Sequence, residues 1–125
     1  MRLLLDTNAL LWAASEHERI IPVRDLLLDP EHDVYVSAVS WWEIAIKNRI
    51  GKLDVSLKDL RNGAMENGFQ ELPLFADSAE KLSSLPEYHK DPFDHMIIAQ
   101  AISESMHIIT GDKIFAKYTD LAIIV

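Results

Sequence analysis

The sequence of 125 residues is 49% apolar and 26% charged, enough for one domain that buries roughly two-thirds of its unfolded surface, and too apolar for a disordered or low-complexity chain. It contains no cysteine, which excludes a disulfide scaffold, a thiol nucleophile and Cys-ligated metal sites. Twelve basic against twenty acidic residues leave a net charge of −8; this field repels nucleic acid, so a nucleic-acid role needs a local basic patch or bound cations.

Arg2–Leu5 is a short apolar run, read as a strand, and Asp6-Thr7-Asn8 are good caps for a helix over Ala9–Ala14. Val23, Leu26 and Leu27 have helical spacing, which predicts a helix over Ile21–Leu28 that ends before Asp29-Pro30. Val34–Ser37 is β-branched and aromatic and reads as a second strand. Ser40-Trp41-Trp42-Glu43 matches a capping box and predicts a helix from there to about Ile50, stopped by Gly51. A helix over Leu57–Glu66 closes at Gly68; a third strand over Phe69–Leu74 and a helix over Ser78–Ser84 follow. Asp91-Pro92 places a cap and an N1 proline before a helix over Phe93–Ser105. His107–Thr110 is a fourth strand, Lys113–Lys117 a short helix and Ala122–Val125 a last strand. Strands alternating with helices imply a parallel sheet covered on both faces. The longest uncharged stretches, Val34–Trp42 and Met96–Ser103, are about half a membrane span. The expectation is a single cytoplasmic domain with no membrane partner.

Common catalytic signatures fail. Gly63 and Gly68 have phosphate-loop spacing, but Phe69 stands where lysine is required. His17-Glu18 opens a zincin-like motif that Ile21 leaves incomplete, and the five histidines show no paired ligand spacing, so they read as surface or packing residues.

Four acids stand apart. Asp6 follows the first strand, Glu43 falls in the first turn of the helix after the second, Asp94 in the first turn opened by Asp91-Pro92, and Asp112 after the fourth strand. In a parallel sheet, strand ends and helix starts gather on one edge, where open α/β folds bind ligands. Each acid also has a local role as a cap, a helix-dipole partner or, for Glu43, an i+4 partner of Lys47. Together they imply a cation, since converging carboxylates repel one another. Hard divalent ions such as Mg²⁺ favour all-oxygen sites and assist phosphodiester hydrolysis.

Leu4-Leu5-Asp6-Thr7-Asn8, Ser40-Trp41-Trp42-Glu43-Ile44, Asp91-Pro92-Phe93-Asp94 with Ile97-Ile98-Ala99-Gln100-Ala101, and Thr110-Gly111-Asp112 resemble the motifs of PIN-domain ribonucleases, above all the VapC toxins of toxin–antitoxin pairs. The resemblance spans essentially the whole chain. It implies a three-layer α/β/α fold with a central parallel sheet, Mg²⁺- or Mn²⁺-dependent cleavage of an RNA substrate, a homodimer and a small antitoxin partner. It also implies that Asp6, Glu43, Asp94 and Asp112 are the catalytic, metal-binding quartet, with Thr7 and Thr110 lining the site. Many relatives carry Arg after the third acid where this chain has His95; it is either a weaker or pH-sensitive RNA contact or a solvent-facing residue, and the helical step of about 100° from a pocket-facing neighbour favours the second. Asp91 reads as either a cap or a ligand, with the cap favoured.

Lys47, Arg49, Lys52, Lys58 and Arg61 against Asp54 and Asp59 give a local excess of +3 between residues 44 and 61. Lys47, Arg49 and Lys52 are candidate RNA contacts, with an ordinary solvated helix face as the alternative. Trp41 and Trp42 are either core or a protein-binding surface. Rival readings are a receiver-like phosphoacceptor domain, for which Asp54 is poorly placed, a D-x-D-x-T phosphatase, which Asn8 contradicts, and a catalytically silent PIN binding module.

Overall fold

The computed structural model describes residues 1–125. Five parallel strands form one sheet in the order β3-β2-β1-β4-β5. They are β1 (Arg2–Leu5), β2 (Asp33–Ser37), β3 (Gln70–Leu72), β4 (His107–Thr110) and β5 (Ala122–Ile124). The helices are α1 (Thr7–Ala14), α2 (Arg24–Leu28), α3 (Ala38–Arg49), α4 (Leu57–Glu66), α5 (Ala76–Ser83) and α6 (Pro92–Ser103). Short 3₁₀ turns cover Glu18–Val23 and Lys113–Lys117.

Strand alternation divides the core into two layers. Leu3 and Leu5 of β1 join Val34, Val36 and Ile109 under α1, α2 and α4, with Ala9, Leu10, Leu27 and Ala64 packed on them. Leu4 points the other way and joins Ile108 under α6, with Ile97, Ile98 and Ala101. The central strands are apolar on both faces because both faces are covered. This is the three-layer α/β/α arrangement, and no helix is long and apolar enough to cross a membrane.

Most element ends fall within two residues of expectation, and two elements begin in a different way. The helix read over Ile21–Leu28 is a 3₁₀ turn that contains Pro22, followed by the short α2. Proline lacks the N–H that an α-helix interior needs, so only the residues after it continue as α-helix. The helix after β2 starts at Ala38, two residues before the apparent capping box. Its N-cap is Ser37, whose hydroxyl accepts from the Val39 N–H at 2.9 Å. Ser40 is therefore inside the helix and buried, and Glu43 lies in the second turn rather than the first. Ser37 also lies 2.5 Å from Gln100 Oε1, and the Gln100 amide donates to the Pro73 carbonyl at 3.2 Å. This buried network ties α6 to the ends of β2 and β3.

The turn after β4 is held from the side. Arg19 donates to the carbonyls of Gly111 (3.2 Å) and Val125 (2.8 Å), and its guanidinium lies 4.5 Å above the Trp12 ring. A Cβ on Gly111 meets Trp12 at 2.4 Å and Arg19 at 3.0 Å. Glycine is required here by close approach, not by its dihedral angles. Gly111→Ala is expected to cost about 1–3 kcal/mol, typical of overpacking. In a Trp12→Ala background the same change should be nearly neutral; a double-mutant cycle by urea unfolding checks this coupling.

Candidate active site

All five strands run the same way, so the residues that follow them share the carboxyl edge of the sheet. Asp6 is the N-cap of α1: its Oδ1 accepts from the Ala9 N–H at 2.8 Å, and Thr110 bonds its carboxyl. Asp112 caps the 3₁₀ turn that follows β4, with Oδ1 accepting from the Ile114 N–H at 3.0 Å. Thr110 also accepts from the Asp112 N–H at 3.0 Å, so one hydroxyl joins two of the acids. Asp91 caps α6, accepting from the N–H groups of Phe93 (2.9 Å) and Asp94 (3.1 Å). That leaves the Asp94 side chain turned into the site.

Glu43 is almost fully buried despite its charge. From the second turn of α3 it accepts from the Thr7 hydroxyl at 2.6 Å and from Lys47 Nζ at 2.5 Å. Thr7 Oγ1 also lies 3.0 Å from Ser40 Oγ, which uses the buried serine of the supposed capping box to brace the site. The bond to Glu43 raises Lys47 above its ordinary 10.5, and the charges of Glu43, Asp91 and Asp94 add to the effect. Lys47 is thus the internal counter-ion of the acidic edge and not a free surface cation. Arg61 is also committed, to Glu71 at 2.6 Å. Arg49 and Lys52 are exposed and form no salt bridge.

Burial lifts the Asp6 carboxyl from 3.8 to about 6, with repulsion from Glu43 and Asp112 adding to it and the bonds from Thr110 and Ala9 opposing it. Burial likewise lifts Asp94 to about 7, assisted by the negative charges of Asp91 and Asp6. The four acids therefore share one electrostatic site. Its donors are hard carboxylate oxygens with acceptor capacity to spare, which suits Mg²⁺ or Mn²⁺.

One histidine also belongs to this site. His89 Nε2 lies 3.1 Å from Asp94 Oδ2, and His89, Asp94 and Asp112 place potential ligand atoms within 4.8 Å of one another. Spacing along the chain gave no sign of it, because His89 precedes α6 and reaches Asp94 through a loop. His95 is not turned to solvent either: it is half-buried, donates from Nε2 to the His89 carbonyl at 2.6 Å and packs edge-on against the His89 ring. Trp41 fills core, whereas Trp42 is 60% exposed and stands edge-on to Phe93.

Fold and site together define an α/β protein with an acidic pocket at the carboxyl edge of a parallel sheet. The chain belongs to the PIN domain family, whose model matches residues 3–121. No curated protein matches it. Among solved structures, it is similar to VapBC2 from Rickettsia felis bound to a promoter DNA fragment, with 16% identity and a TM-score of 0.73 over 100% of this chain and 98% of that one. FitAcB from Neisseria gonorrhoeae gives 24% identity and a TM-score of 0.68 over 98% and 96%. A toxin–antitoxin complex from Klebsiella pneumoniae gives 18% and 0.65 over 97% and 95%. At these identities the likeness is one of fold.

The raised carboxyls fix a pH dependence. Unfolded, both aspartates titrate near 3.8; folded and metal-free, they titrate at about 6 and about 7. Between those values the folded state holds the extra protons, so its stability falls as pH rises from about 4 to about 7 and is constant for these groups above that. The Asp6 share is on the order of 3 kcal/mol, and Asp94, partly open to solvent, contributes less than its shift implies. Urea unfolding of the metal-free protein at pH 5 and pH 8 should show this loss, and Asp6→Asn should reduce it by about 1 kcal/mol or more, the part of the Asp6 share that falls in that interval.

Proposed function

We propose that the chain is a metal-dependent endoribonuclease of the VapC type, the toxin half of a toxin–antitoxin pair. The observation that carries this reading is the convergence of Asp6, Glu43, Asp94 and Asp112, with two of them lifted by burial and mutual repulsion. Such an arrangement is unfavourable until a cation joins it. The PIN domain match and the similar folds seen in toxin–antitoxin complexes support the assignment to this class.

In this reading Asp6, Asp94 and Asp112 hold Mg²⁺ or Mn²⁺. Glu43, with both oxygens engaged, sets the charge and the shape of the pocket and orders Thr7 and Lys47 beside it. Thr110 aligns Asp6 with Asp112. When bound, the ion supplies water activation and charge neutralisation at the scissile phosphodiester. Arg49 and Lys52, exposed beyond Glu43 on the same helix and just after it, attract the RNA backbone that the acidic body repels. A small antitoxin is the partner, residues 1–125 act as one domain, and the active form is a cytoplasmic homodimer. The receiver-like alternative loses support because Asp54 lies in the irregular segment between α3 and α4, not at a strand end.

RNA cleavage should require Mg²⁺ or Mn²⁺ and stop in EDTA; full activity in EDTA removes the metal mechanism. Asp94→Asn should abolish cleavage, leave the metal-free protein as stable or more stable, and shrink the rise in melting temperature that Mn²⁺ produces. A purely helix-stabilising Asp94 gives the reverse pattern, a loss of roughly 0.3–1 kcal/mol with normal cleavage.

Replacing both Arg49 and Lys52 with Gln should weaken RNA binding and reduce the slope of log K against log salt by about 1.4 for single-stranded RNA. An unchanged slope, measured by fluorescence anisotropy with an inactive variant, assigns both residues to the solvated helix face.

A further inference from the structure

We propose that His89, locked by Tyr118, is a positioning residue that fixes the Asp94 carboxylate for a divalent cation. The inference rests on the reading of Asp94 as a metal ligand and goes beyond it.

Tyr118 follows the 3₁₀ turn Lys113–Lys117, far from α6 in sequence. Its hydroxyl oxygen accepts from the backbone N–H groups of Tyr88 (2.8 Å) and His89 (3.2 Å). Those two bonds occupy the phenol's acceptor capacity, so its own proton is free to donate. The remaining neighbour is His89 Nδ1, at 2.8 Å. Nδ1 is therefore the acceptor nitrogen, which places the ring proton on Nε2. Nε2–H then donates to Asp94 Oδ2 at 3.1 Å. Two backbone amides thus decide the histidine tautomer, and the tautomer decides which oxygen of Asp94 is held.

The ring cannot turn easily. The His89 carbonyl accepts from His95 Nε2 at 2.6 Å, and the His89 ring packs edge-on against both His95 (4.8 Å) and Tyr118 (5.4 Å), whose own rings lie 6.1 Å apart. Asp94 Oδ2 is tethered while Oδ1 remains for a cation. The same tautomer argues against direct ligation by His89, because a metal on Nε2 requires the proton on Nδ1, facing a phenol oxygen that has no room for a third donor. Carboxylates and histidines around metals are commonly oriented by such outer partners, whose loss costs about 10–100-fold in metal affinity.

The test is Mn²⁺ binding at pH 8, read from the free-ion electron paramagnetic resonance signal, with Mg²⁺ measured by competition. His89→Leu should weaken both ions about 10–100-fold and by similar factors. His89→Gln, which retains an N–H donor near the Nε2 position, should recover most of the affinity. Tyr118→Phe should give a smaller but measurable loss and decides the matter should His89→Leu fail to fold by circular dichroism. Wild-type affinity in His89→Leu, or in Tyr118→Phe when that variant must decide, overturns the proposal. So does a histidine ¹⁴N coupling on bound Mn²⁺ that disappears in His89→Leu, since that makes His89 a ligand. A wild-type protein that binds no Mn²⁺ refutes the proposed function itself, and this inference with it.

Discussion

Burial of Asp6 and Glu43 beside the half-buried Asp94 and the exposed Asp112 is the constraint around which the rest is arranged. Parallel strands carry Asp6 and Asp112 to the same edge, and α3 and α6 bring Glu43 and Asp94 against them. Desolvation then becomes the largest influence on Asp6 and Asp94, exceeding every hydrogen bond that opposes it. Without counter-charge such a cluster destabilises the fold. The chain supplies part of that charge itself through Lys47, which neutralises Glu43 across one helical turn. The remaining three acids form no ion pair with lysine or arginine, so the deficit is concentrated where a cation has hard oxygen donors.

The apolar layers on both sides make that concentration possible. Leu4, Leu5 and Ile108 are fully buried immediately beside the acids, and Gln100 and Ser37 hydrogen-bond to each other beneath the site. A rigid floor of this kind prevents the carboxylates from separating to relieve their repulsion. Gly111 serves the same end: Trp12 and Arg19 occupy the space a side chain would need, which holds the turn carrying Asp112 against the body of the protein.

Much of this was legible in the sequence, because strand runs, caps and the Asp91-Pro92 start are local signals. The parallel sheet and its five strands follow from alternation alone. Local signals misled where two alternatives lay within one turn of each other. Ser37 and Ser40 are both competent caps, and only the packing of α3 on the sheet selects the first. Once it does, Ser40 and Glu43 exchange a capping role for a bond network with Thr7. His89 was invisible for a different reason: its partners, Asp94 and Tyr118, lie 5 and 29 positions away and meet it through a loop, so no periodicity encodes the contact.

Capping and metal binding also cease to be competing explanations for these aspartates. Asp6 gives Oδ1 to the Ala9 N–H and Asp112 gives Oδ1 to the Ile114 N–H, each as an ordinary cap. Asp94 gives Oδ2 to His89 and obtains its helix start from Asp91 instead. In all three, bonds from the protein orient the carboxylate and leave acceptor positions unfilled. A cap bond orients a carboxylate without neutralising it, and orientation is what a metal site needs from its surroundings. Glu43 differs, since both of its oxygens are bound by Thr7 and Lys47. Asp94 and Asp112 thus each keep one oxygen without a protein partner, whereas Glu43 has both bonded, a division that residue type and spacing alone do not reveal.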